Sequence, residues 1–219
     1  MKKPKPRVCA EIAPGLVLDP RRALVHRAQG WMAVADVHYG YERNRRRQGA
    51  LLPDWGMAAC AETLRALLDE HQPRRLILAG DIMDGAGSAE ETADFLEQLR
   101  PLAELVCLYG NHDRAGLRKR LNLARAHRED GFIFHHGHES VEAEAGLIHI
   151  TGHEHPAVRL GDGAGLRLKL PALVRERLPD GGERWILPAF SPWAAGGEYH
   201  SSCGRIATWV CAPGRVWRL

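Results

Sequence analysis

Five short segments of the sequence combine residue types that bind divalent cations. They are Asp36-Val37-His38, Gly80-Asp81, Gly110-Asn111-His112-Asp113, His136-Gly137-His138 and Gly152-His153-Glu154-His155. Carboxylate and amide oxygens with imidazole nitrogens, and without thiolates, suit Mn²⁺, Fe or Zn²⁺ in a catalytic role better than a structural zinc site. Together the segments predict a centre that holds two cations.

The predicted ligands have complementary chemistry. Asp36 and His38 are two residues apart, a spacing that puts both side chains on one side of an extended backbone. Asp81 is the natural bridge, because a carboxylate can give one oxygen to each cation. Each residue alone has a simpler explanation, such as a helix cap or a buried histidine that satisfies backbone groups, but the set meets the demands of a metal site. The predicted ligands are Asp36, His38, Asp81, Asn111, His136, His153 and His155.

A centre of this kind predicts the hydrolysis of phosphate esters. Two cations about 3.5–4 Å apart can activate water and hold phosphate oxygens for in-line attack. The leaving oxygen then needs a proton. His112 lies between the predicted ligand Asn111 and the carboxylate of Asp113, so we predict that it is the general acid and that Asp113 orients its ring.

Apolar runs in the first two thirds of the chain predict the strands that position this chemistry. The runs are 31–35, 76–79, 105–109, 132–134 and 147–150. Four of the five ligand segments directly follow such a run, the exception being the one around His136. Strand ends in a layered α/β fold meet at one edge, so we expect the segments to converge there.

Helical patterns separate these runs. Apolar spacing predicts one helix over 53–71 and another over 115–126. Between them, Ser88 as an N-cap with its capping-box partner Glu91 predicts a helix that ends near Arg100. Glycine-rich turns separate later runs at 158–160, 166–170, 185–187 and 205–210, which predict mostly antiparallel strands.

The bulk composition is that of an ordinary globular protein. With 219 residues, 45% hydrophobic and 26% charged, we expect a single domain over residues 1–219. The net charge of +3 does not by itself imply a nucleic-acid binder. The chain contains no apolar run of the roughly 20 residues that a membrane span needs, and its five cysteines form no CxxC pair. We therefore expect a cytoplasmic protein with reduced thiols and no membrane contact.

Two arginine-rich runs follow the ligand segments. One contains Arg43, Arg45, Arg46 and Arg47, and the other contains Arg114, Arg118, Lys119 and Arg120. Guanidinium groups bind phosphate through paired hydrogen bonds, but the same runs would also suit a solvated face, and both interpretations stay open. No aromatic-rich segment accompanies the runs, so sequence-specific nucleic-acid readout is not predicted. The candidate substrate-binding residues are Arg43, Arg46, Arg114 and His138.

The motif series DxH, GDxxD, GNHD, HGH and GHxH, in this order, resembles the calcineurin-like metallophosphoesterases. The resemblance implies a four-layer α/β/β/α sandwich of two mixed β-sheets flanked by helices. It also implies a division of the ligands into two groups. Asp36, His38, Asp81 and His155 would hold one cation. Asp81, Asn111, His136 and His153 would hold the other.

The segments ADVHYG at 35–40, GHEHPA at 152–157 and LPAF at 187–190 resemble more closely the bacterial and archaeal ligase-associated phosphoesterases. This resemblance implies a phosphodiesterase acting on DNA ends or nucleotide diesters, with a link to DNA repair and to a DNA ligase and helicase. From the donor set we predict Mn²⁺ as the metal, with Fe, Zn or Ni as alternatives. A phosphomonoesterase acting on a small molecule and a non-catalytic metal-binding interaction module are the alternative functions.

Three further residues have more than one interpretation. His135, His136 and His138 crowd one segment, and the family pattern favours His136 as the ligand. Asp84 fits the GDxxD pattern, but an aspartate before Gly85 is more typical of a turn. His149 lies within a predicted strand, which favours a core histidine over a ligand.

Overall fold

The computed structural model describes residues 7–85, 89–141, 146–194, 196–201 and 204–219. The predicted N-cap Ser88 and the thiol of Cys203 lie outside the described residues. The described part contains four helices, α1 Tyr41–Arg47, α2 Gly56–His71, α3 Ala89–Glu97 and α4 Ala115–Leu121. None of these helices is long and apolar enough to cross a membrane.

The first sheet is mixed and has six strands in sequence order. They are β1 Ala10–Ala13, β2 Leu16–Asp19, β3 Ala23–His26, β4 Trp31–Val34, β5 Arg75–Ala79 and β6 Glu104–Leu108. β1 to β4 form an antiparallel meander, and β4, β5 and β6 are parallel. The sequence predicted β4, β5 and β6 but not the first three strands, whose sequences AEIA, LVLD and ALVH each include a polar residue and lie between tight turns.

The second sheet is also mixed. Its strands are β7 Ala126–Glu129, β8 Phe132–His135, β9 Ile148–Thr151, β10 Pro156–Gly161, β11 Arg167–Arg177, β12 Glu183–Ile186, β13 Gly197–Glu198, β14 Arg205–Ala212 and β15 Arg215–Arg218. They are ordered β13-β10-β11-β12-β9-β8-β7, with β14 pairing with β11 and β15. The predicted antiparallel pairing is present where β11 pairs with β10, β12 and β14, whereas β9 runs parallel to both β8 and β12. The last strand, β15, was not predicted and pairs antiparallel with β14.

Two hydrophobic cores hold the layers together. Between the sheets, the buried ring of Trp31 meets that of Phe134 edge to face at 5.0 Å, and Trp185 and Trp209 belong to the same cluster. On the other face of the first sheet, a second cluster includes side chains from α2, α3 and α4, such as Leu64. The expected architecture of two mixed sheets flanked by helices is therefore confirmed.

Helix bounds differ from the expectations at turn-forming residues. α2 begins at Gly56 rather than at residue 53, with Trp55 as its N-cap. α4 ends at Leu121 because Asn122 adopts a left-handed conformation with φ 49°, and residue 126 already belongs to β7. The short helix α1 was not predicted, since its sequence YERNRRR lacks an apolar repeat.

Candidate active site

The predicted ligand segments meet at one end of the two sheets. Asp36, Asp81 and Asn111 follow the parallel strands β4, β5 and β6, so their loops leave the same edge of the first sheet. His136 and His153 follow β8 and β9, which are parallel neighbours in the second sheet. The segment around His136 therefore also follows a strand directly, contrary to the expectation from the sequence.

The first group of side chains consists of Asp36, His38, Asp81 and His155. Their potential ligand atoms all lie within 4.8 Å of one another. Nε2 of His155 is 3.2 Å from Oδ1 of Asp36 and 3.4 Å from Nε2 of His38. Nε2 of His38 is 3.8 Å from Oδ2 of Asp81. Imidazole nitrogens and carboxylate oxygens crowded together in this way form a suitable donor set for a divalent cation.

The second group lies next to the first and shares Asp81 with it. Nε2 of His136 is 3.3 Å from Oδ2 of Asp81 and 3.1 Å from Oδ1 of Asn111. The ring centroid of His153 lies 5.0 Å from that of His136. Oδ1 of Asp36 also lies 3.8 Å from Nδ1 of His136, the ring nitrogen on the side away from Asp81 and Asn111. Asp81 is thus placed between the groups, as a bridging carboxylate would be.

The backbone at these positions is in an unusual conformation. Asp36, His38, Asp81, His153 and His155 all have positive φ, between 45° and 71°. Such left-handed conformations cost free energy for residues other than glycine, and they persist where the surrounding structure enforces them, often at functional sites. The expected extended backbone from residue 36 to 38 is therefore wrong, although both side chains do reach the same group.

Three glycines allow the loops to approach closely. A Cβ atom at Gly110 would overlap Oδ1 and the backbone nitrogen of Asp81, and one at Gly80 would overlap the ring of His136. At Gly152, a Cβ atom would come within 2.7 Å of Oδ2 of Asp36. The glycines that precede the ligand motifs are required by packing around the site.

The electrostatics of the site favour added positive charge. Burial alone would raise the pKa of Asp81, but the hydrogen bond and charge of His136 lower it to about 2. Burial likewise opposes a charge on His38, yet its hydrogen bond to Asp84 and the nearby Asp81 raise the pKa of that imidazole. The carboxylates thus outweigh the effect of burial, so the residues present fit divalent cations as occupants of this site.

The partners of His112 and Asp113 correct one expectation. The oxygens of Asp113 accept hydrogen bonds from the backbone nitrogens of Met83 at 2.9 Å and Gly110 at 2.8 Å, and burial raises its pKa to about 6 despite those bonds. The nearest carboxylate to the ring of His112 is instead Asp84, whose Oδ1 lies 3.5 Å from Nδ1. Asp113 shapes the loop and does not orient the ring.

Asp84 has more contacts than a turn residue requires. Its buried carboxylate is 3.1 Å from Nδ1 of His38 and accepts a hydrogen bond of 2.7 Å from Nδ2 of Asn44. Because Nδ1 of His38 faces Asp84, its Nε2 is directed towards the first group. The GDxxD spacing in the sequence indicated a role for Asp84 at the site, although an aspartate before a glycine is more typical of a turn.

The three histidines at 135, 136 and 138 have different surroundings. His135 is buried, and its Nε2 lies 3.0 Å from Nδ1 of His149, within the second sheet. His136 faces the site instead, and its Nδ1 lies 3.1 Å from the backbone oxygen of Ala79. The ring of His138 lies 5.1 Å from that of His136, at the edge of the site.

Several of the arginines are engaged by other residues. Arg43 pairs with Glu91, and Arg46 lies 3.2 Å from a carboxylate oxygen of Asp54. Arg114 is exposed at the start of α4. Near it, Arg118 donates hydrogen bonds to the backbone oxygens of residues 113 and 110, which fixes the loop that carries Asn111 and His112.

The comparison with protein families agrees with this geometry. The calcineurin-like phosphoesterase family matches residues 32–216, a range that includes every predicted ligand. The chain belongs to this family. It is therefore a metal-dependent hydrolase of phosphate esters, and the alternative of a non-catalytic module is set aside. Comparison with proteins of curated function finds no match.

Solved structures of similar fold include a bacterial nuclease. The phosphoesterase is similar to Pseudomonas putida nuclease MPE with a TM-score of 0.69 and 24% identity, over 97% of this chain and 100% of that one. It is more distantly similar to Yfce, a phosphoesterase from E. coli, with a TM-score of 0.46, 16% identity and coverage of 82% and 86%. A dimetal phosphatase from Danio rerio has a TM-score of 0.42, 12% identity and coverage of 82% and 91%.

Proposed function

We propose that this phosphoesterase is a two-metal phosphodiesterase. The main observation is the placement of Asp81 between two groups of donor atoms, since it lies near His38 in one group and near His136 in the other. Asp36, His38, Asp81 and His155 would hold one cation, and Asp81, Asn111, His136 and His153 would hold the other. When bound, two such cations supply charge stabilisation to the phosphate oxygens and activation of the attacking water.

The proposed metal is Mn²⁺, with Fe, Zn or Ni as alternatives. The donor set of carboxylate and amide oxygens with imidazole nitrogens supports this choice, because soft thiolate ligands are not part of it. His38 is oriented by Asp84, and His136 by the backbone oxygen of residue 79. A hydrogen bond at Nδ1 fixes the tautomer of the imidazole ring and directs Nε2 to the site.

We propose His112 as the general acid. Its side chain is 45% exposed, which leaves it accessible to a substrate, and its ring lies edge-on to that of His38 with centroids 5.0 Å apart. With Nδ1 held near the carboxylate of Asp84, Nε2 is the atom that would give its proton to the leaving oxygen.

Nucleotide or nucleic-acid diesters are the proposed substrates. The arginine-rich helix α1 begins three residues after His38, and it supports binding of more than one phosphate. The similar P. putida protein is named a nuclease. A phosphomonoesterase acting on a small molecule is the alternative, and the salt bridges of Arg43 and Arg46 favour it by reducing the charge available to a polymer.

The broader assignments remain predictions. Membership of the ligase-associated group, a role in DNA repair and association with a DNA ligase and helicase follow from the resemblance of the motifs. A single domain over residues 1–219 is supported by the core shared by both sheets. The free thiols of Cys9, Cys60, Cys107 and Cys211 support a cytoplasmic location.

The test compares diester and monoester hydrolysis by Mn²⁺-loaded protein. We expect turnover of bis(p-nitrophenyl) phosphate to exceed that of p-nitrophenyl phosphate, and Asp81→Ala and His112→Ala to abolish most of it. Leu102→Ala, an exposed apolar residue after α3, is the control and should behave as wild type. Full activity of the metal-loaded Asp81→Ala protein would contradict the proposed site, and faster monoester turnover would contradict the proposed substrate class.

A further inference from the structure

Arg22 connects the two sheets through a single nitrogen atom. It lies in the turn between β2 and β3, and its Nη1 donates hydrogen bonds to three successive backbone oxygens. These are the oxygens of Ala189 at 3.2 Å, Phe190 at 3.2 Å and Ser191 at 2.8 Å. The three residues follow β12 of the second sheet, and we call residues 189–191 the bridging segment.

The bridging segment is attached in turn to the loop that carries Asp36. The backbone nitrogen of Phe190 donates to the oxygen of Ala35 at 2.8 Å, and that of Ser191 donates to the oxygen of Asp36 at 3.0 Å. Carbonyl groups of the segment therefore bind Arg22, while its N–H groups bind the loop of the proposed metal ligand. Arg22 thus contacts Asp36 through one layer of backbone.

Asp36 depends on such support because its backbone is strained, with φ 56°. Its nitrogen donates to the oxygen of Gly80 at 3.2 Å, and its carboxylate accepts from the backbone nitrogen of His153 at 3.1 Å. Both of these partners belong to the loops of other proposed ligands, whereas Ser191 belongs to the bridging segment. A displacement of this segment would therefore move the carboxylate of Asp36.

The turn in which Arg22 lies does not explain its side chain. The φ of Arg22 is 70°, a left-handed conformation that glycine adopts more readily. The neighbouring Arg21 pairs with the carboxylates of Asp19 at 2.6 Å and Glu70 at 2.7 Å. Among the described residues, no carboxylate pairs with Arg22. The two adjacent arginines therefore have different partners.

The charge of Arg22 is held by carbonyl dipoles. Burial lowers the pKa of its guanidinium, and the titratable groups near it are the thiols of Cys60 and Cys211. Burial raises the pKa of both thiols to about 12, so neither is negatively charged at neutral pH. Removing a cation from water without an anionic partner is a poor means of stabilising a fold. The arrangement points to a role in the backbone that Arg22 holds.

We propose that Arg22 is a positioning residue for the metal centre, because it fixes the bridging segment that holds the backbone of Asp36. This inference rests on the proposed ligand role of Asp36 and extends the support of the site to a turn outside the ligand motifs. Ala189, Phe190 and Ser191 are all buried, so loss of Arg22 would leave buried carbonyl oxygens without this donor. The segment would then shift and weaken the hold on the cation.

The test measures Mn²⁺ binding and diester hydrolysis in variants of Arg22. Loss of the free-ion EPR signal gives the affinity for Mn²⁺, and bis(p-nitrophenyl) phosphate gives kcat and KM. We expect Arg22→Ala to lower Mn²⁺ affinity and kcat by about 10-fold with little change in KM, since losing support for a metal ligand has effects of this order. Arg22→Lys keeps the charge on a shorter side chain without the planar fork and should lose about 3-fold.

Arg21→Ala is the matched control, because Arg21 lies in the same turn but pairs with Asp19 and Glu70. It should lower the thermal stability and retain the wild-type affinity for Mn²⁺. The comparison therefore separates a positioning role from a general loss of stability.

Chemical rescue provides a second readout. Arg22 lines a cleft of about 370 Å³, so a guanidinium ion can enter the space that Arg22→Ala leaves. Millimolar guanidinium chloride, well below denaturing concentrations, should restore part of the Mn²⁺ affinity of Arg22→Ala. Sodium chloride at the same concentration should not.

Wild-type Mn²⁺ affinity and kcat in Arg22→Ala, or in Arg22→Lys if the alanine variant does not fold, would overturn the inference. An equal loss of Mn²⁺ affinity in Arg21→Ala, or no rescue by guanidinium, would do the same. Asp36→Ala is measured alongside to separate the two proposals. Full Mn²⁺ affinity in Asp36→Ala would contradict the proposed ligand set, whereas a loss in Asp36→Ala without one in Arg22→Ala would remove only the positioning role.

Discussion

At the scale of residues, the site depends on which carboxylate each histidine faces. Asp84 faces both His38 and His112, whereas Asp113 is occupied by backbone nitrogens. The spacing of the GNHD motif suggested the opposite pairing. Adjacent residues on a turn point in different directions, so sequence proximity is a poor guide to hydrogen bonding there.

This pairing makes Asp84 and Asp113 distinguishable by mutation. We expect Asp84→Ala to lower Mn²⁺ affinity or kcat about 10- to 100-fold, as is typical when a residue that orients a metal ligand is lost. Asp113→Asn should instead lower the thermal stability. Metal titration, diester kinetics and thermal unfolding of both variants provide the measurement. An Asp84→Ala protein with wild-type metal affinity and kcat would show that Asp84 does not position the site.

At the scale of elements, the parallel strands and their glycines determine the site. β4, β5 and β6 deliver three loops to one edge, and β8 and β9 deliver two more from the other sheet. The approach is so close that Gly110 lies against Asp81 without room for a methyl group. The loops therefore tolerate little added volume.

Gly110→Ala should therefore displace Asp81. We expect most diester activity to be lost and the free energy of unfolding to fall by about 1–3 kcal/mol, the usual effect of overpacking. Gly116→Ala is the matched control, since among the described residues a Cβ atom at this helical position meets only the Cβ atom of Ala89, at 3.9 Å. The control should be neutral or slightly stabilising. Urea unfolding and diester hydrolysis are measured for both variants. A Gly110→Ala protein with full activity would contradict the packing argument.

At the scale of the whole molecule, charge pairs and metal ligands connect separate layers. Asp19 at the end of β2 accepts hydrogen bonds from Arg21 at 2.8 Å and contacts His71 of α2 at 2.9 Å. The proposed ligands come from both sheets. Folding should therefore respond to pH through Asp19 and to cations through the site.

The hydrogen bonds of Asp19 lead us to expect a loss of stability in acid. Burial would raise its pKa, but hydrogen bonds from Arg21 and His71 hold the pKa well below its usual range. A depressed folded-state pKa stabilises the protein above the unfolded value of about 3.9, and this contribution is lost as the pH falls below it. We expect Asp19→Asn to lower the free energy of unfolding at pH 7 by about 1–3 kcal/mol, with the difference shrinking below about pH 4.

Urea unfolding from pH 7 to pH 2 measures this difference. Asp69→Asn is the matched control, because Asp69 is an exposed carboxylate on α2, two residues before His71. The control should unfold near the wild-type urea midpoint at pH 7. A gap between wild type and Asp19→Asn that stays constant down to pH 2 would rule out the proposed linkage.

Cation binding predicts a rise in thermal stability. A ligand at about 100 times its Kd stabilises the folded state by about 2.7 kcal/mol, which corresponds to a Tm increase of about 5–10 °C for a chain of this length. We expect Mn²⁺ to produce this increase over protein treated with EDTA, by scanning calorimetry. The double variant Asp36→Ala, Asp81→Ala should show none, and an equal increase in that variant would place the cation elsewhere.

The sequence by itself determined the chemistry of the site and the core strands around it. Buried parallel strands are continuous apolar runs, so β4, β5, β6, β8 and β9 can be recognised from the local sequence. Motifs that follow such strands are expected to lie at the same edge of the fold. The family follows from the same motifs. Short strands with few alternating residues, such as β1 to β3, and the polar helix α1 lack such a signal.

Only the tertiary structure decided which side chains face each other. The left-handed backbone at Asp36 and His38, the pairing of Asp84 with two imidazoles and the meeting of Trp55 with Trp193 all depend on contacts between segments far apart in the chain. Such contacts follow from packing the sheets and helices together, and no local pattern encodes them. The sequence therefore predicted the ligand types, whereas the fold decided which side chains each of them contacts.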